Sequence, residues 1–164
     1  LASLVANAGK PVHTWDEFTY WADAVKIMTL QGVLPADAAA RSLFASYPPA
    51  LPLWQYLAQT VNGLLGGGFD EGLLFTSYQC LMLAFFMPFL RGARLTRPLE
   101  WLALAAGVPL CVLAAFPRGL DLLHADMMVG VLGGFACAWP LLFSVRDRFS
   151  LLTLCASLAV LTRL

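Results

Sequence analysis

The chain has 164 residues, 60% of them hydrophobic and only 12% charged, and its ten basic and ten acidic side chains give a formal net charge of zero. Its mean hydropathy is +0.74. Soluble domains carry about 25% charged residues, so there is too little charge here to coat a water-facing globule, and the neutral balance supplies no field that would attract nucleic acid.

The segment Leu1–Asn7 reads as the tail of an earlier span that leads outward. The first residue is not Met and the last lies inside an apolar run, so the chain reads as an internal fragment of a longer membrane protein. Thr14-x-x-Glu17 has the spacing of a capping box and predicts a helix start. Beyond it Phe18, Trp21, Ala22, Val25 and Met28 recur at three and four on one face, with Thr19, Asp23 and Lys26 on another. That pattern predicts an amphipathic helix suited to the membrane interface, ended by Gly32 and Pro35.

A second helix is expected after Tyr47-Pro48-Pro49, because proline is tolerated in a first turn. Gln55, Gln59 and Asn62 fall at i, i+4 and i+7 as a polar stripe, and Gly66-Gly67-Gly68 closes the segment. Its length is marginal for a crossing. Lying flat, it keeps Asp16 on the side of Asp121 and Asp126; crossing would put Asp16 with the arginine-rich loops. The flat reading is preferred.

Three charge-poor stretches follow, at 72–90, 99–116 and 122–143, and a shorter one at 149–164. A helix needs about 20 apolar residues to cross some 30 Å of hydrocarbon. The first three approach or reach that length and the fourth is cut short. Arg91, Arg94 and Arg97 lie between the first and second, Arg146 and Arg148 between the third and fourth. Positive loops stay cytoplasmic, which makes segment 117–121 extracytoplasmic. The expectation is an all-α, polytopic helical membrane protein in a single domain over 1–164. Residues 8–71 form an extracytoplasmic loop with two amphipathic juxtamembrane helices, and 72–164 form three to four transmembrane helices. The cysteines 80, 111, 137 and 155 all lie in apolar runs and read as small buried hydrophobes. The Gly130-x-x-x-Gly134 spacing reads as close helix packing.

Two groups carry chemistry. Trp15-Asp16-Glu17-Phe18-Thr19-Tyr20-Trp21 is the denser. Acids in a first turn favour the positive end of the helix dipole, and Glu17 fits the reciprocal cap, whereas the box does not need Asp16. Trp15 and Trp21 fit an interfacial aromatic belt. The second group is Asp121, His124 and Asp126. Asp121 fits a helix N-cap, but Asp126 falls inside an apolar helix, where an ionisable group has a partner or a task. A divalent metal held by His13, His124 and the acids is a lesser alternative. Tyr47-Pro48-Pro49-Ala50-Leu51-Pro52 reads as a stiff loop.

In their order, Asp16-Glu17 with Tyr20-Trp21, the amphipathic helix, Tyr47-Pro48-Pro49 and Asp126 at the head of a later span resemble the catalytic module of GT-C membrane glycosyltransferases, over roughly residues 10–145. That superfamily includes protein O-mannosyltransferases and lipid A aminoarabinose transferases. The Trp15–Trp21 stretch also resembles a WDEFxxW segment of bacterial members. The resemblance implies a first extracytoplasmic loop with two juxtamembrane helices, a polyprenyl-phosphate-linked sugar as donor, and a bacterial inner-membrane location with an extracytoplasmic active site. Carried over, Asp16 is the general base, Asp126 the second acid and Glu17 their support. Tyr20, Trp21, Tyr47, Pro48, Pro49, His124 and Arg118 are the substrate-binding candidates. The chain departs from the pattern in having no Lys or Arg directly beside Tyr47-Pro48-Pro49 to hold the donor phosphate, so Lys10, Lys26, Arg41 or Arg118 has to serve. The expected partners are the lipid-linked donor and membrane lipids, with no nucleic acid. Two rival readings stand beside this one: a proton- or cation-coupled transporter or flippase built on Asp126, and a non-catalytic membrane scaffold.

Overall fold

The computed structural model describes residues 2–40, 42, 50–85, 98–99, 121–123 and 128–134. The regular structure among them is helical, without a strand, as the all-α expectation requires. No helix among the described residues is long and apolar enough to cross a membrane. Most of the expected spans, and cysteines 111, 137 and 155, fall outside the described residues.

The chain divides into two compact units, Leu1–Cys80 with Asp121–Ala125, and Leu81–Leu120 with Asp126–Leu164. In the first unit α1 (Ala2–Asn7) is followed by a glycine turn with Gly9 at φ 70°. Next comes a helix in two registers: a π-helical turn, Glu17–Trp21, leads directly into α2 (Ala22–Gln31). The switch of register is explicit in the backbone, because the Ala22 N–H donates to the Glu17 carbonyl five residues back. Gly32 ends α2 as expected: it adopts φ 71°, a left-handed conformation that costs glycine little, and its N–H donates to the Met28 carbonyl at 3.2 Å. A 3-10 turn, Ala38–Ala40, follows.

The second expected helix is α3 (Ala50–Leu64). Its 15 residues reach about 22 Å at about 1.5 Å each, short of the hydrocarbon thickness. Gly66 at φ 87° turns the chain after it. The helix α4 (Glu71–Ala84) is capped by Asp70, whose Oδ1 accepts the Gly72 N–H at 2.8 Å.

The core of this unit is built by Tyr20, Ala24, Val25 and Met28 from the second helix, Leu51 from α3, and Leu74, Phe75 and Tyr78 from α4. This differs from the expected face at one place. Phe18 is exposed, whereas Val25 and Met28 are buried. A π turn inserts one residue, and one residue is about 100° of helix, so Phe18 is rotated off the face its spacing assigns.

The polar side chains lie between helices. Gln55 and Gln59, two of the three residues of the expected stripe, are buried. The Gln55 amide donates to the Leu74 carbonyl at 3.1 Å, and Gln59 both donates to the Asp70 carbonyl and accepts the Asp70 N–H. Trp54 Nε1 donates to the Ser77 carbonyl at 2.8 Å. Between α1 and α4, the Asn7 amide donates to Thr76 Oγ1 at 3.3 Å and to Gln79 Oε1 at 2.9 Å, and Ser3 Oγ also donates to Gln79 Oε1. The close approach there is made by Gly72, where any Cβ would run into the Asn7 carbonyl oxygen.

In the second unit Met82 is buried on the last turn of α4, and residues 128–134 are helical, with Met128 and Leu132 buried four apart on one face. The expected close packing at the Gly130–Gly134 spacing finds no support among the described residues: a Cβ at Gly133 or Gly134 would meet nothing within 4 Å. Cys80 is exposed on α4, contrary to the buried reading.

Candidate functional site

The Thr14–Glu17 box forms by half. Glu17 Oε2 accepts the backbone N–H of Thr14 at 3.0 Å and of His13 at 2.8 Å, and the Phe18 N–H donates to the Thr14 carbonyl at 3.1 Å to begin the helix. The reciprocal bond is missing. Thr14 Oγ1 is buried and has no hydrogen-bond partner among the described residues.

The other Glu17 oxygen reaches across the sequence. Oε1 accepts the N–H of Leu123 at 3.0 Å, 106 residues away. The side chain is fully buried, at 0% exposure. Burial by itself raises a carboxyl pKa; three backbone N–H groups and the nearby His13 outweigh it, so Glu17 is held below the ordinary glutamate value. His13 Nδ1 lies 3.4 Å from Oε2. The carboxylate is therefore ionised, sealed from solvent and occupied on both oxygens.

Asp16, its neighbour, is exposed, between exposed Trp15 and close to exposed Phe18. Tyr20 is buried and its ring meets that of Trp21 edge-on at 4.4 Å. Asp16, Glu17, Tyr20 and Trp21 thus share one wide turn, but with different surroundings: Asp16 is open to the outside and Glu17 and Tyr20 face the core. One turn further, Asp23 has its carboxyl pKa raised by burial, with Lys26 partly opposing the shift.

The loop before this turn is seated on α4. The Val12 N–H donates to Glu71 Oε2 at 2.9 Å. The Lys10 ammonium lies 3.9 Å from the centre of the Phe75 ring and forms an ion pair with the Asp121 carboxylate, while also donating to the Asp121 carbonyl at 2.9 Å. His13 stacks on the same ring at 6.4 Å between centroids. Lys10 is therefore committed to Asp121 and Phe75, and Asp121 serves as its partner. Of the other phosphate-binding candidates Lys26 is exposed, 6.0 Å from the Phe69 ring, and Arg41 and Arg118 lie outside the described residues.

Tyr47, Pro48, Pro49, Arg118, His124 and Asp126 also lie outside the described residues. The metal alternative needed His124; among the described residues no group of three His, Cys, Asp or Glu side chains could hold an ion. Two contacts that shape the site were not foreseen from the residues. Glu17–Leu123 and Lys10–Asp121 join positions 106 and 111 apart, and the first uses a backbone N–H that any residue but proline supplies. Compared with known protein families, curated proteins and solved structures, the chain matches none.

Proposed function

We propose that this chain belongs to a membrane-embedded glycosyltransferase that moves a sugar from a polyprenyl-phosphate carrier to an extracytoplasmic hydroxyl, with Asp16 as the general base. The observation that carries the reading is the contrast within one turn. Asp16 is presented outward among exposed Trp15 and Phe18, and the Glu17 beside it is locked into the core by three backbone N–H groups. An acid in a rigid, aromatic-edged setting suits a base that must meet an amphiphilic substrate at a membrane surface.

The membrane part of the proposal is supported by inverted polarity. On α3 the amides Gln55 and Gln59 are buried, while Leu53, Leu57, Val61 and Leu64 are exposed. On α1 Asn7 is buried and Leu4 and Val5 are exposed. In water this costs free energy on both counts. In lipid it is favourable, because polar side chains join helices and apolar ones meet hydrocarbon. The lipid-exposed helices, the three to four spans and the bacterial inner membrane belong to the same proposal.

In the reaction the Asp16 carboxylate takes the proton of the acceptor hydroxyl as its oxygen bonds to the anomeric carbon. The bond from that carbon to the phosphate oxygen breaks, and the polyprenyl phosphate leaves with the electron pair. A cation must receive that charge; Lys26, Arg41 and Arg118 are the candidates, since Lys10 is engaged. Asp126 is the proposed second acid. No resident cofactor is invoked. Asp16→Asn in the full-length protein, assayed with a polyprenyl-phosphate-linked sugar, is expected to lower transfer about 10²- to 10⁴-fold, the usual contribution of general base catalysis. Undiminished transfer by that variant sinks the assignment.

A further inference from the structure

Three features of the Asp16 turn each carry a cost. The Glu17–Trp21 segment is π-helical, a register found mostly as single turns at functional sites. The Thr14 hydroxyl is buried without a partner among the described residues. Phe18 is exposed instead of lying on the buried face of Val25, which stands seven residues on and nearly in line with it along an uninterrupted α-helix. A continuous α-helix would relieve the first and the third of these, returning Phe18 to the apolar face. The first turn after Thr14 is already α-helical, so Thr14 Oγ1 can turn to cap the Glu17 N–H once the Glu17 side chain is released from Leu123.

One interaction opposes that relaxation. Rewinding the π turn removes one residue from the turn and rotates the Thr14–Glu17 turn by about 100° relative to α2, while residues 10–12 stay seated on α4 through the Val12 N–H on Glu71 and Lys10 over Phe75. The Glu17 carboxylate would swing away from the Leu123 N–H. The tether and the α register are therefore mutually exclusive. The segment at Leu123 cannot follow, because Lys10 holds the adjacent Asp121 by its carboxylate and its carbonyl, over Phe75.

We infer that Glu17 is a positioning residue: its bond to the Leu123 N–H holds the turn in the π register and so sets the direction in which Asp16 points. Asp16 precedes the inserted residue, so it turns with Glu17 when the register changes. The inference rests on the proposed role of Asp16 for its catalytic consequence, but the register itself is measurable without any substrate.

The test is a double-mutant cycle on the full-length protein in lipid nanodiscs, read by amide hydrogen exchange at residues 13–18 and 123. With Glu17 intact, Thr14→Val keeps the shape and removes an unpartnered hydroxyl, so exchange in the turn is unchanged or slower. In Glu17→Gln the turn relaxes and Thr14 becomes its cap. Thr14→Val then speeds exchange about fivefold, the usual worth of an N-cap. Glu17→Asp, one methylene shorter, keeps a carboxylate near Thr14 but falls short of Leu123, and serves as the milder variant with the same expected sign. An equal effect of Thr14→Val in all three backgrounds overturns the inference. So does full protection of the Leu123 amide in both Glu17 variants. In the transfer assay Glu17→Gln lowers kcat at unchanged KM and leaves the acid limb of the pH profile in place; a shifted limb would make Glu17 itself the proton acceptor and overturn the positioning role. If Asp16→Asn transfers normally while the exchange pattern is as stated, the glycosyltransferase reading fails and the register inference stands.

Discussion

Glu17 shows how one side chain can be both a local cap and a long-range anchor. A carboxylate with no solvent exposure survives because its hydrogen bonds are charge-assisted and replace the water it lost. Glu17→Ala leaves three backbone donors to find other partners, and is expected to destabilise the fold by about 2–4 kcal/mol in denaturant titration. Its pH dependence has a definite sign. The folded pKa is lowered, so the stabilisation is complete above the ordinary glutamate value of about 4.3 and is lost as pH falls through the folded value. Asp23 runs the other way. Burial raises its pKa, so its ionisation costs stability as pH rises through that value, and Asp23→Asn is expected to raise the denaturation midpoint at neutral pH and to have no effect once the pH is low enough to protonate the wild-type acid in both states. The Thr14–Glu17 spacing made the local half of this legible in the sequence. The Leu123 half was not, because a backbone N–H has no residue signature.

Helix ends were the most legible elements. Gly32 and Gly66 adopt the left-handed conformations that end the second helix and α3, and Ala50 begins α3 directly after Pro49. The face of the second helix was misread because a 3.6-residue period cannot anticipate an inserted residue; the rotation it causes is what moves Phe18 outward. The glycine pattern did not point to the close approach that is seen. Gly130 and Gly134 have the spacing of a packing motif, but the close approach belongs to Gly72, which has no such spacing and stands against the end of α1. Gly72→Ala forces the Asn7 carbonyl to move and is expected to cost about 1–3 kcal/mol, the range for overpacking. Exchange of the α4 amides near residue 76 would speed with it. Gln59→Leu tests the polar seam. It strips the Asp70 N–H and carbonyl of their side-chain partner and is expected to destabilise by about 1–3 kcal/mol, despite making α3 more hydrophobic. A neutral or stabilising outcome would contradict the seam.

At the scale of the whole molecule the composition and the packing agree on one point. A chain with few charges buries Asn7, Gln55 and Gln59 while leaving a row of leucines and valines outside. The opposite arrangement would be expected of a protein that meets only water. The proposed extracytoplasmic setting adds a direction: the Asp16 turn and Asp126 on one and the same outer side, where a lipid-linked sugar and a hydroxyl acceptor could both reach them. Cysteine-accessibility labelling tests that directly. Single cysteines replace Asp16 and Asp126 in the full-length protein in sealed cells, and an impermeant maleimide is added outside. The account predicts that both positions label from the outside without disruption of the membrane. Labelling of one from the outside and of the other only after the membrane is opened would put the two acids on opposite sides and contradict it.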